Sequence, residues 1–335
     1  MFWLLLAGLV ALVVGAVLLV KYGSNLAERL GISPLIIGLT IVSVGTSVPE
    51  LAVGIDAMRR GAGSLMLGNI VGTDIVNILL ILGLAAAIRP VMLSKTTVRL
   101  DLPAMVLSSV LLFVMAFSGY LTTANGLILL LAATIYGCLI AWNARREKRD
   151  RERRYLEDSD NTETGDIPII RGPIDWKMFV RDLVLLIIGI VIIVFGAEWL
   201  VDGAIAIAES FGVSQSIIGL TIVAIGTSLP ELATTLSATF RGKRDIAVGN
   251  LIGSSTLNTT LIFGIALMFG PYRSIIDREI LRFDFPILLG VFALCVIIFV
   301  TGHRISRREG ILMVSLYVLY LGYRVFSTIT GHSFV

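Results

Sequence analysis

Charge is what this sequence has least of. Only 15% of its 335 residues are Asp, Glu, Lys or Arg, against about 25% in an average soluble chain. So thin a polar cover excludes an ordinary soluble domain, and the apolar content excludes a disordered chain. Cysteine is almost missing as well. Cys138 and Cys295 each sit inside an apolar run, where packing explains them, and two cysteines make no disulfide framework. The two histidines, His303 and His332, lie in or near expected loops, and no Cys/His spacing of a zinc site occurs. No H-E-x-x-H, G-x-S-x-G or phosphate loop is present, so the chain is not expected to be an enzyme or to hold a cofactor. No basic segment precedes the apolar stretch Met1–Val20, which therefore reads as a first span rather than a cleaved signal.

What the sequence has is apolar length. Apolar residues make up 56% of it, in continuous runs close to the roughly 20 residues that cross a bilayer as a helix. The alternation of a membrane β-barrel is absent. The expected fold is an all-α membrane protein with ten transmembrane helices. The first five run near 2–20, 32–57, 66–88, 102–118 and 124–143. The second five run near 179–200, 214–240, 246–269, 284–302 and 311–328. Residues 1–143 and 179–335 thus form two halves, joined by a polar linker over 144–178. The linker opens with the basic run Arg145–Arg154 and continues with an acidic stretch that lacks the spacing of an EF-hand loop.

Most of the 27 Lys and Arg fall in the linker or in loops sharing its side, while Arg59, Arg60, Arg273, Arg278 and Arg282 lie opposite. The positive-inside rule then makes the linker cytoplasmic and puts both termini outside. Trp3, Trp142, Trp176 and Trp199 fall near span ends, as an interfacial aromatic belt requires. Asp56 and Glu198, near the outer ends of their spans, read as interfacial rather than as ligands.

The halves repeat one another. Gly31–Ala52 aligns with Gly212–Ala233 and Gly68–Asn77 with Gly249–Asn258, with no gap between them and about half of the positions from Gly31 to Ala85 identical. Five spans per half is an odd number, so the second half enters the membrane upside down. Such inverted-topology repeats are a transporter architecture suited to alternating access.

Two motifs recur in both halves. The first, G-T-S-x-P-E-L, occupies Gly45–Leu51 and Gly226–Leu232, each in the middle of an apolar run. A carboxylate at mid-membrane costs several kcal/mol on contested scales, and marks Glu50 and Glu231 as functional candidates. Pro49 and Pro230 lack an N–H and break the helix, which frees carbonyls such as those of Thr46 and Thr227. Backbone freed at that depth is tolerated against protein or a wet cavity. A hard cation, which takes carboxylate, carbonyl and hydroxyl oxygens, fits that environment. A single proline kink would be unremarked; the whole heptapeptide occurring twice is not explained that way. The second motif, G-N-x-x-G-[ST]-x-x-x-N, puts Asn69, Thr73 and Asn77 on one helix face and Asn250, Ser254 and Asn258 on another. Its glycines permit close helix approach.

On these paired motifs the sequence resembles the cation/calcium exchanger superfamily, most closely its prokaryotic sodium/calcium exchangers. The resemblance covers essentially the whole chain. It implies ten helices in two inverted five-helix repeats, an ion core made by the kinked second, third, seventh and eighth helices, and long, tilted first and sixth helices that slide past it. It implies antiport of Na⁺ against Ca²⁺ by alternating access. A proton-coupled cation exchanger of the same fold, and more remotely a cation channel, are the competing readings. Carried over by motif position, Glu50, Glu231 and the carbonyls of Thr46 and Thr227 would hold calcium. Ser47, Ser228, Thr73, Ser254 and the carbonyls of Ser43 and Ala224 would flank it as sodium ligands, with Asn77 and Asn258 lining the middle. Many sodium/calcium exchangers have Asp where this chain has Asn258, and this chain has Asp74 where the family usually has Asn. Asp74 is thus a candidate replacement for the displaced charge. The expected partners are membrane lipids and the transported cations, with no nucleic acid and no obligate protein partner. The expected location is the cell (inner) membrane of a prokaryote.

Overall fold

The structure, a computed structural model, describes residues 2–92, 96–160, 175–210, 224–302 and 304–330. Helix α1 (Phe2–Leu30) is followed by a broken helix: α2 (Pro34–Ile37), a π-helical stretch Gly38–Val42, α3 (Ser43–Thr46) and α4 (Val48–Arg59). Next comes α5 (Gly63–Ile75), continued through π-helical Val76–Leu82 into α6 (Gly83–Ile88). Strand β1 (Val91–Met92) leads to π-helical Thr97–Asp101 and α7 (Leu102–Ala116), then β2 (Tyr120–Thr122) and α8 (Thr123–Asp160). The second half begins with α9 (Trp176–Ser210) and resumes with α10 (Ala224–Gly226) and α11 (Leu229–Phe240). Helix α12 (Arg244–Leu257) runs through π-helical Asn258–Ile262 into α13 (Phe263–Leu267). Strand β3 (Arg273–Ile275), π-helical Ile280–Asp284, α14 (Phe285–Gly302), β4 (Arg304–Ile305) and α15 (Arg307–Thr330) complete the chain.

Among the described residues eight helical stretches are long and apolar enough to cross a membrane. The pair Pro34–Thr46 and Val48–Arg59, bent by 45°, brings the number to as many as nine. The seventh expected span, near 214–240, lies partly outside the described residues; α10 and α11 are its described part. Three boundaries differ from the sequence expectation. Helices α1 and α9 run 29 and 35 residues, roughly 43 and 52 Å at 1.5 Å per residue, so they exceed a hydrocarbon core of about 30 Å and must tilt or protrude. Helix α8 runs past 143 to Asp160, into the expected linker. Arg, Glu and Lys are good helix formers, and Arg146 and Asp150 pair at i,i+4, 4.0 Å apart. Residues 161–174 of the linker lie outside the described residues.

Burial sorts the helices. Nearly every residue of the α12–α13 span is buried, and most of the α5–α6 span, whereas α15 buries few. The outer helices turn Leu9, Val13, Val184, Val191, Leu107, Leu131, Ile297 and Val318 outward, as a lipid-facing surface does. Helices α1 and α9 lie against each other along glycines. A Cβ on Gly196 would come within 2.8 Å of the Leu12 amide nitrogen, and one on Gly189 within 3.0 Å of that of Leu19. This pair forms its own apolar cluster around Leu12, Leu19, Leu186 and Ile193, separate from the larger core around Ile70, Ile78, Phe263 and Phe292.

The turns that lead out of α4 and α11 are built alike. Gly61 and Gly242 both have φ +72°, a region that glycine enters without a Cβ penalty. In each, the following amide bonds back: Ala62 to the Ala57 carbonyl and Lys243 to the Ala238 carbonyl, both at 2.8 Å, which caps the helix in a Schellman arrangement. Two small antiparallel ladders, Val91 opposite Ile305 and Tyr120 opposite Ile275, tie loops of the two halves together. Two- and three-residue strands are too short to carry a periodicity that sequence could show.

Candidate functional site

The break between α3 and α4 falls where the motif puts it. Ser47 leaves helical geometry (φ −87°, ψ 10°), as does Ser228 (φ −86°, ψ 2°) ahead of α11. Pro49 and Pro230 stand in the first turns that follow, and a proline at that position offers no N–H to the carbonyl four residues back. Glu50 and Glu231 then occupy the first turns of α4 and α11, where the positive end of a helix dipole favours a carboxylate.

These carboxylates are shut off from solvent, both 0% exposed. Neither oxygen of Glu50 has a hydrogen-bond partner. Glu231 accepts one long bond through Oε1, from the Ser47 hydroxyl at 3.4 Å, and its Oε2 has none. Glu50 feels the charges of Glu231 and Asp74. An unpaired buried polar group costs on the order of 1–3 kcal/mol, more for a charge, and here they are concentrated. Thr73, Thr227, Ser228 and Ser254 have hydroxyls with no partner, and Asn77 and Asn258 have neither amide atom bonded. Few native cores leave so many polar atoms unpaired. The set is rich in carboxylate, hydroxyl and amide oxygens, the donors of hard cations.

Helix α12 closes against the first half at one end of this set. The Ser43 hydroxyl reaches the Gly38 carbonyl at 2.6 Å and the Asn250 carbonyl at 2.9 Å. The Thr46 hydroxyl donates to Asn250 Oδ1 at 3.1 Å. Glycines allow the approach: a Cβ on Gly249 would lie 2.5 Å from the Leu35 carbonyl oxygen. Asn77 and Asn258 both lie in π-helical stretches, Val76–Leu82 and Asn258–Ile262, a local geometry frequent at functional sites. Ala224 opens α10, and the residues before it lie outside the described ones.

Asp74 is 0% exposed, and its Oδ2 accepts a hydrogen bond from Thr259 of the second half at 3.2 Å; its Oδ1 has no partner. Ser255, which the repeat alignment sets opposite Asp74, is also beside it. Among the described residues no three His, Cys, Asp or Glu side chains converge into a metal-holding group. A cation beside Asp74 would also meet the neutral oxygens of Thr259 and Ser255. The sequence reading missed Thr234, Thr235 and Ser255, all 0% exposed with unbonded hydroxyls. The signal was available for two of them, since Thr234 and Thr235 follow Glu231 at i+3 and i+4, on its helix face. Outside the cluster, Asp56 pairs with Arg60 at 2.9 Å on the exposed surface, and Glu198 is exposed.

The family model described as sodium/calcium exchanger protein matches residues 1–143 and 182–326. The chain belongs to the sodium/calcium exchanger family. Among its exchanger relatives, the sodium/calcium exchanger MaX1 of Methanosarcina acetivorans is 34% identical, over 96% of this chain and 97% of the relative. The inner membrane protein YrbG of Escherichia coli is also 34% identical, over 95% of this chain and 94% of the relative. A solved structure of the sodium-calcium exchanger NCX_Mj, soaked with 10 mM Na⁺ and zero Ca²⁺, superposes with a TM-score of 0.79 at 28% identity, covering 96% of this chain and 97% of that one. The family thus spans both halves of the chain, and the two exchanger motifs lie within the matched residues.

Proposed function

We propose that this member of the exchanger family is a secondary antiporter that moves Ca²⁺ across a membrane against Na⁺ by alternating access. The observation that carries the reading is the paired break: Glu50 and Glu231, wholly buried and short of hydrogen bonds, each at the start of a helix that follows a Pro-containing gap. Calcium takes the two glutamates with the carbonyls of Thr46 and Thr227. Sodium takes Ser47, Ser228, Thr73, Ser254 and the carbonyls of Ser43 and Ala224, with Asn77 and Asn258 between. Ions of both kinds then compete for one set of oxygens, which is what couples their fluxes. The exchanger names of the relatives and of the superposed structure support this assignment.

The reading includes ten transmembrane helices in two inverted five-helix repeats, residues 1–143 and 179–335, with 144–178 as a cytoplasmic linker and both termini outside. The matched Gly61 and Gly242 caps, and the two ladders that each join a loop of one half to a loop of the other, support the repeat. The side assignment rests on the Lys and Arg distribution, and the host membrane is a prokaryotic cell membrane.

The test is ⁴⁵Ca²⁺ uptake into proteoliposomes with an outward Na⁺ gradient, then with a H⁺ gradient at equal Na⁺. Uptake that needs the Na⁺ gradient and saturates with calcium is the expected result. Uptake driven by H⁺ alone moves the chain to proton coupling, and flux that needs no counter-ion makes it a channel.

A further inference from the structure

Away from the ion cluster, one carboxyl is built into the fold twice, with different company. Asp284 closes the π-helical stretch Ile280–Asp284 ahead of α14. The Tyr320 hydroxyl donates to its Oδ1 at 2.9 Å, and Arg324 Nε lies 3.5 Å from the same oxygen, while Nη1 of that guanidinium bonds Glu279 Oε1 at 2.7 Å. Asp101 closes the matching stretch Thr97–Asp101 ahead of α7. The Tyr136 hydroxyl donates to its Oδ1 at 3.3 Å, and its Oδ2 has no partner. The arginine follows Tyr320 by four residues; four residues after Tyr136 stands Ile140, itself buried.

The first-half carboxyl is also the deeper one, 1% exposed against 5% for Asp284. Among the described residues the ionisable groups that act on Asp101 are Tyr136 and Glu147, both from α8, and neither brings a positive charge; the Thr97 hydroxyl also stands beside the carboxyl. Helix α14, packed beside the Thr97–Asp101 stretch, has no charged residue, and α12 contributes the Thr256 hydroxyl beside Tyr136. An ionised carboxylate enclosed in this way would be an uncompensated buried charge, which proteins avoid by neutralising the group. A metal ion would need several oxygens around Oδ2, and among the described residues that oxygen has no hydrogen-bond partner; a proton needs no ligand shell.

We propose that Asp101 is a proton-binding site of the first half, held neutral by H⁺, where Asp284 has beside it the Arg324 guanidinium that it shares with Glu279. The proton sits on Oδ2, the oxygen that Tyr136 does not bond. Because the Tyr136 hydroxyl lies between Asp101 and Thr256 of the core helix α12, release of that proton pulls on the contact between the outer helices and the helix that carries Ser254. This assignment is independent of which ion drives transport.

The test is infrared spectroscopy of the purified full-length protein in lipid nanodiscs at neutral pH, read as difference spectra in the protonated-carboxyl region. Asp101→Asn, which keeps size and hydrogen bonding, is expected to remove one protonated-carboxyl band present in the wild type. Ile140→Arg, which restores the guanidinium, is expected to remove the same band. Arg324→Leu is expected to add a new one, from Asp284. An Asp101→Asn spectrum unchanged in this region means that the group is ionised, and overturns the proposal. A band that appears only when Na⁺ is withdrawn assigns a metal ion to Asp101 instead, and overturns it as well. Should Ile140→Arg fail to fold, the near-isosteric Asp101→Asn still decides the outcome.

Discussion

Replacing Glu50 by glutamine should move stability in two opposite directions. Both carboxylate oxygens of Glu50 are buried without a partner, next to the charges of Glu231 and Asp74. In calcium-free protein Glu50→Gln keeps the shape of the side chain and removes an acid crowded by Glu231 and Asp74, so the variant should melt no lower than wild type. Calcium should reverse the order. At a free concentration of about 100 times Kd, a ligand that binds only the folded state adds about 2.7 kcal/mol. At roughly 2 °C per kcal/mol for a chain of this size, the wild type gains about 5 °C. Losing one of two charges from a divalent site costs about 1.5–3 kcal/mol, near a hundredfold in Kd. At the same calcium concentration the variant then keeps about 0.4 kcal/mol, or roughly 1 °C. Differential scanning fluorimetry in detergent, with and without calcium, reads both numbers. A variant with the full wild-type calcium shift would remove Glu50 from the site. A calcium-free variant that melts well below wild type would mean that the carboxylate bonds something structural.

Three further outcomes test the surroundings. Gly196→Leu should weaken the α1–α9 pair, because even a Cβ there meets the Leu12 nitrogen at 2.8 Å and the Ala11 Cβ at 2.9 Å; overpacking of this kind costs about 1–3 kcal/mol, and an unchanged melting temperature would refute the close packing. Asp182→Ala should destabilise by about 1–3 kcal/mol, since this wholly buried carboxylate bonds Arg29 at 2.6 Å and Arg181 at 2.9 Å; a stability change near zero would make the pair ornamental. Asp74→Asn should lower sodium-driven calcium uptake, and adding Asn258→Asp should restore it if charge has moved between these positions; wild-type sodium dependence in the single variant would show that Asp74 serves only its bond to Thr259.

The helical membrane class was determined by composition alone, because a bilayer leaves a chain with long apolar runs one way to satisfy its backbone. The positions of the helix breaks at Ser47 and Ser228 were equally legible, since proline and glycine act locally through the backbone. So was the pairing of Glu50 with Glu231, because an ionisable residue in an apolar run stands out against its neighbours. What only the tertiary structure decided depends on contacts between distant segments. The bond from Thr46 to Asn250, the company of Asp74 with Thr259, and the ladders that join the halves each link residues far apart in the chain. Helix ends followed the same division: α8 continues to Asp160 because charged helix formers extend it beyond the apolar run, where hydropathy has no voice. The contrast between Asp101 and Asp284 shows the limit most plainly. In sequence they are two aspartates near the start of two spans; only the fold brings Arg324 to one of them and Tyr136 with Glu147 to the other.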